Sequence, residues 1–203
     1  MLGELQMREI SPDVSVSVDD YVSRLPSEGQ RIIEEIRHQK REGTRPQPSV
    51  TLTGHSAIIT KTMRDGLLDA VAALVDENCF GRSEMCVQFA ALMHRALSHL
   101  KFPSRSVVGI AIYYGAKGEE IWRWRHAWVR IGEECIDGNV DCLGENPLVP
   151  KAVSVAPYWG PISEIPGDRR LREEHGVELP PDVDVDNIWW PELQAWIDRE
   201  RLG

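Results

Sequence analysis

The order of elements in this chain predicts an α+β fold. Three observations carry the expectation. Amphipathic helical stretches come first, two long β-branched and aromatic runs follow around a glycine turn, and the two kinds of pattern are segregated rather than alternating. At 203 residues the chain is long enough for one medium domain with additions, and it can bury a core without disulfide staples.

Residues 1–27 are polar, with a weak valine alternation in "DVSVSVDDYV". Ser27 is placed to cap a helix from Glu28 to about Arg41, with Ile32, Ile33 and Ile36 on one face. "EGTRPQPSVTLTG" reads as a loop because it holds two prolines and two glycines. Ser56 is placed to cap a second helix through about Asp76, whose Ile59, Met63, Leu67, Val71, Leu74 and Val75 keep helical spacing. A third helix starts at Cys86 and ends near Leu100, because Pro103 stops it. "RSVVGIAIYYG" and "IWRWRHAWVRI" read as strands, with "ECID" as a short third strand after the turn at Gly132.

Beyond Asn139 the pattern weakens. "APYWGPISEIPGD" and "GVELPPDVDVD" read as proline-rich loops, and "WWPELQAWIDRERL" as a final helix with Pro191 in its first turn. Four of the seven tryptophans lie in this tail, and buried aromatics there would anchor it to the core. The expected division is an N-terminal polar segment and helix (1–50), a core (51–150) and a Pro- and Trp-rich extension packing on the core (151–203).

Composition excludes several function classes. The formal net charge of -9 and the pI near 5.2 disfavour nucleic-acid binding through a basic surface. No apolar run approaches transmembrane length, and the charged N-terminus does not read as a signal peptide. The expected location is the cytoplasm, where cysteines stay reduced; a protein exported without a signal peptide would look the same.

The chemistry centres on "GRSEMCVQFAALMHRAL". A thiolate at a helix N-terminus is stabilised by free backbone N–H groups and by the helix dipole, so Cys86 occupies a place suited to chemistry. "WRHAWVRIGEECIDGNVD" supplies partners. His126 falls in the middle of one strand, and Asp137 lies eleven residues on, at the end of the next. Antiparallel pairing across the Gly132 turn brings such offsets side by side. A cysteine, a histidine and an aspartate so arranged can act as nucleophile, base and orienter. Asp141 is the second-ranked aspartate. The bland readings are a buried packing cysteine and a satisfied core histidine between Trp124 and Trp128. The context of both residues favours the catalytic reading.

The quoted stretches resemble the transglutaminase-like branch of the papain-like cysteine enzymes. The resemblance rests on Cys86, Phe89 and Ala90 in "CVQFAALMHRAL", on Phe102, Pro103, Arg105, Val107 and Gly109 in "FPSRSVVG", on His126 to Val129 in "HAWV", and on Asp137 in "CIDG". It covers about Val75 to Asn139. The chain departs from that pattern at Glu84 and Lys101, where the family usually has glycine, and at Gly138, where it often has proline. The resemblance implies a papain/transglutaminase-like core (residues 51–150), with N-terminal helices and the nucleophile on a helix N-terminus packed on an antiparallel sheet. It also implies acyl transfer through a thioester, with Cys86, His126 and Asp137 as the triad and a protein or peptide as substrate. The outcome would be that of a protease, amidase, glutamine deamidase or transglutaminase. The alternative is a non-catalytic protein-binding scaffold of the same fold.

No cofactor and no metal is expected. The cysteine pairs 79/86 and 135/142 each enclose six residues, where zinc sites usually enclose two to four. "DVDVDN" lacks the glycine and final glutamate of a calcium loop. The backbone N–H of Cys86 is one natural oxyanion donor. Gln88 is a tempting second donor by residue type, but it follows the nucleophile inside the helix, and the second donor stays unassigned.

Overall fold

The computed structural model describes residues 23–48, 50–79 and 81–200. The valine alternation at 13–22 lies outside the described residues. Helix α1 spans Ser27–Arg41, α2 Lys61–Asn78 and α3 Cys86–His99. Strands β1 (Ser104–Tyr114), β2 (Glu120–Ile131) and β3 (Glu134–Asp137) follow. The tail holds β4 (Tyr158–Pro161), β5 (Arg169–Glu173), a π-helical turn at Val185–Trp189 and α4 (Trp190–Glu200).

The architecture is α+β. Five strands form one curled antiparallel sheet in the order β4-β3-β2-β1-β5. β1 and β2 pair from Ser104↔Ile131 to Tyr114↔Glu120. The residues in that pairing are β-branched, aromatic or alternating polar, which suits a half-buried surface. One face of the sheet carries Ala127, Val129, Ile131, Ile136 and Trp159 into the main core, against Leu67, Leu68 and Val71 of α2 and Phe89, Leu92 and Met93 of α3. The opposite face carries Ala111 and Tyr113 into one smaller cluster, and Val107, Trp128 and Cys135 into another.

Two expectations are corrected. Ser27 is the first helical residue of α1, and Pro26 holds the cap position without a side-chain bond. Thr60, not Ser56, caps α2, accepting from the Met63 N–H. Ser56 instead accepts from the Ile58 and Ile59 N–H groups, 3.0 Å each, and donates to the buried carboxylate of Glu134 at 2.6 Å. The segment after residue 150 packs on the core and completes the sheet. It supplies both outer strands of the sheet, and places Trp159, Val185, Trp189, Leu193 and Ile197 inside the main core. Its tryptophans do anchor it. Among the described residues, no helix is long and apolar enough to cross a membrane.

Candidate active site

Cys86 opens α3, and its position is fixed by the turn before it. No side chain caps this helix, so its first N–H groups stay uncapped by side chains, and no acidic residue lies in its first turn. Glu84, two residues earlier, has φ 64°, in the left-handed region. Its Oε1 accepts from Asn146 Nδ2 at 2.8 Å. Arg82 donates to both carboxylate oxygens of Asp141 at 3.0 and 2.5 Å, and its carbonyl accepts from Asn139 Nδ2 at 2.8 Å. The turn before the cysteine is therefore fastened to the segment that leaves Asp137. Phe89 adds a packing lock, since a Cβ on Gly138 would lie 2.6 Å from its ring.

His126 sits in β2 between two indoles. Trp124 stacks on it with centroids 5.3 Å apart and Trp128 with centroids 6.2 Å apart, at interplanar angles of 16° and 28°. The β2–β3 register ends at Val129↔Ile136. Continued by one residue it places Asp137 opposite Trp128, diagonal to His126 on the same face. His126 Nε2 donates to Asp137 Oδ1 at 2.7 Å, with both side chains essentially inaccessible. Since an ionised carboxylate only accepts, Nε2 carries a proton toward Asp137, and Nδ1 is the nitrogen left to exchange a proton with another group. That Nδ1 is buried and has no conventional hydrogen-bond partner among the described residues. Cys86 is the other side chain that interacts with the ring and raises its proton affinity. The three residues expected at the site thus come together.

A fourth residue completes the chain of charges. Arg169, on β5 opposite Tyr113, donates from Nη1 to Asp137 Oδ2 at 2.9 Å. It also donates to Asp168 Oδ1 at 2.9 Å and to the Ala156 carbonyl at 2.5 Å. Sequence reasoning missed it, because "RRLREE", between the two proline-rich loops, carries no signal of an inward arginine. Tyr113, fully buried beside Asp137, was missed for the same reason: an aromatic in a strand usually means packing. Burial pushes its hydroxyl pKa up, and the Asp137 charge adds to that.

The electrostatics follow from burial and pairing. Burial alone would lower the His126 pKa. The Asp137 charge and hydrogen bond, followed by the hydrogen bond and charge of Cys86, override it and lift the imidazole to about 10. Burial alone would raise the Asp137 pKa, but His126 and then Arg169 hold it below the usual carboxylate range.

The other candidates lie elsewhere. Asp141 is held by Arg82, and Gln88 Nε2 donates to Asp182 at 2.9 Å. Burial pushes the Cys79 thiol up to about 11 and raises those of Cys135 and Cys142. His94 is bonded to Ser104 and His99 to Asp198, while His55 and His175 are exposed. Ser83 Oγ, three residues before Cys86, is buried without a hydrogen-bond partner. All four cysteines are free, and among the described residues no group of three or more His, Cys, Asp or Glu is placed to hold a metal ion. No protein-family model, curated protein or solved structure matches the chain.

Proposed function

We propose that this protein is a cysteine-nucleophile acyl-transfer enzyme acting on a carboxamide or peptide carbonyl. One observation carries the reading: a buried imidazole holds an aspartate with Nε2 and leaves Nδ1 without a conventional hydrogen-bond partner, and Cys86, at a helix N-terminus, is the side chain besides Asp137 that raises its proton affinity. His126 Nδ1 takes the thiol proton as sulfur attacks the carbonyl carbon. The tetrahedral oxyanion collapses, and the leaving amine or ammonia takes the proton from His126, giving a thioester on Cys86. Water attacks the thioester with His126 again accepting a proton, releases the acid and restores the thiol. An amine in place of water gives transamidation. Hydrolysis or deamidation is the favoured outcome, because the chain carries no acidic calcium-loop pattern of the kind seen in calcium-dependent amine transfer.

The resemblance to transglutaminase-like enzymes gains support from the backbone. The two positions where that family usually has glycine, Glu84 and Lys101, are the two non-glycine residues with positive φ among the described residues, at 64° and 67°. The conformation that glycine favours is kept although the glycine is not.

The test is alkylation by iodoacetamide at pH 6. Cys86 should label at least about tenfold faster than Cys79, Cys135 and Cys142, because only it has a base within reach. His126→Ala should remove the preference. Equal, slow labelling of all four cysteines in wild type overturns the reading. It would favour a non-catalytic scaffold, a reading to which the 6% exposure of Cys86 also lends weight.

A further inference from the structure

We propose that the sheet face directly ahead of Cys86 docks an acidic, extended segment of the substrate polypeptide; this rests on the acyl-transfer reading of the site. Helix α3 runs against β1 with Ser104 Oγ donating to the His94 carbonyl and Ser106 Oγ to that of Ala90. Four residues of helix match two of strand, because both advance about 6–7 Å. Continued by one more step, the same spacing would put Cys86, where the helix begins, level with Val108. Beyond it, the same face of β1 continues as Ile110, which is half-buried, and Ile112, which is buried.

Those two isoleucines are flanked by four arginines. Ile110 pairs with Arg125 on β2 and Arg172 on β5, and Ile112 pairs with Arg123 and Arg170. Residues paired across an antiparallel ladder share a face, so all six side chains lie on one surface. The four arginines are exposed. Arg123 is held by Glu120, and Arg125 lies 3.5 Å from Glu174. The side chains of Arg170 and Arg172 have no ion pair and no hydrogen bond with any described residue.

Such a cluster is costly to concentrate unless a counter-charge arrives, and here it stands on a chain of net charge -9. That contrast selects the occupant. A long polyanion or an anionic bilayer would meet the acidic surface around the patch, whereas a short segment meets only the patch. Along β5 the two unpaired guanidinium groups repeat at the i, i+2 spacing of a strand, about 6.8 Å. An extended peptide with acidic residues at alternate positions has the same repeat, and Ile110, half-buried between the arginines, gives it a small apolar contact. The surface would thus select for acidic residues flanking the target carbonyl.

The experiment uses the full chain carrying Cys86→Ala, so that nothing is turned over. Fluorescence anisotropy is read with a short blocked peptide of alternating Glu and Ala, and with its Gln-for-Glu counterpart. The acidic peptide should bind about tenfold more tightly than the neutral one and weaken with added salt. Arg170→Gln combined with Arg172→Gln should erase the difference, and so should Arg123→Gln combined with Arg125→Gln in part. Equal affinity for the two peptides, no binding of the acidic one, or a preference unchanged in Arg170→Gln/Arg172→Gln overturns the proposal. Tighter binding of a single-stranded RNA oligomer or of phosphatidylserine vesicles overturns it as well. Binding is read without the thiol, so failure here leaves the alkylation result for Cys86 standing, and the converse holds.

Discussion

Arg169 Nη1 lies 2.9 Å from Asp137 Oδ2, on the carboxylate oxygen that His126 does not use, and both side chains are 1% exposed. β3 and β5 are separated by two strands, so this bond spans the curl of the sheet. Removing one partner of a buried ion pair strands the other charge and costs about 3–5 kcal/mol. Arg169→Gln should lower stability by that order in urea unfolding, with Arg169→Lys in between because the charge is kept and the fork to Ala156 and Asp168 is lost. A wild-type midpoint for Arg169→Gln would show that the pair is dispensable.

Asp137 and Asp141 should separate cleanly. Asp137→Asn removes the carboxylate that orients His126, so turnover should fall by about two orders of magnitude or more while KM changes little. Asp141→Asn weakens the Arg82 fork and should lower stability by about 1–2 kcal/mol, with turnover kept. Steady-state kinetics on any amide substrate found for the enzyme, with circular dichroism as the folding control, makes the comparison. Unchanged turnover in Asp137→Asn would remove the aspartate from the mechanism.

The buried pair also sets a pH window. His126 is raised in the folded protein to about 10, from an ordinary value near 6.5. Its contribution to stability is therefore complete below about pH 6.5 and lost as pH rises toward 10. Asp137 is lowered, so its contribution is complete above about pH 4 and is lost in more acidic solution. The Tm difference between wild type and His126→Gln should be largest between pH 4 and 6.5 and shrink toward pH 10. A difference that grows with pH in that range would mean that the imidazole is neutral in the resting protein.

Lys101 ends α3 in a Schellman motif. Its N–H bonds to the Ser98 carbonyl at 3.1 Å, the Phe102 N–H bonds to that of Leu97 at 2.9 Å, and its own φ is 67°. A non-glycine residue in the left-handed region costs about 1–2 kcal/mol, offset in part by the greater unfolded-state freedom of glycine. Lys101→Gly should raise stability by about 0.5–1 kcal/mol. Chemical denaturation with an unchanged m-value is the check, and a loss of stability would show that the lysine side chain has a compensating contact.

Much of the site was legible because each of its three expected residues carries a local signal. Cys86 follows a Gly-Arg-Ser-Glu turn at the start of an apolar helical period, and His126 and Asp137 flank a glycine turn in alternating strands. The unread part is non-local. Tyr158–Pro161 holds Gly160 and Pro161, composition that argues against a strand, yet as an edge it needs only one partner. Arg169–Glu173 is nearly all charged, because one face meets solvent while Arg169 turns inward to a carboxylate thirty-two residues away. No window of sequence contains both groups. The cap misassignments have a simpler cause. Ser56 and Thr60 are both good caps, and the choice between them was made by the distant Glu134, which takes the Ser56 hydroxyl.

The fastening of Gly81–Met85 to residues 139–146 has a kinetic consequence. Four contacts cross between the two segments: Arg82 to Asp141, Asn139 to the Arg82 carbonyl, the Arg82 N–H to Glu145, and Asn146 to Glu84. Neither segment can swing out without releasing the other. The amides on both sides should therefore exchange with deuterium through one shared opening event, at one common rate. A protease that nicks the stretch after Asp137 would in the same event loosen the start of α3, and the thiol would lose its geometry before the sheet lost its strands.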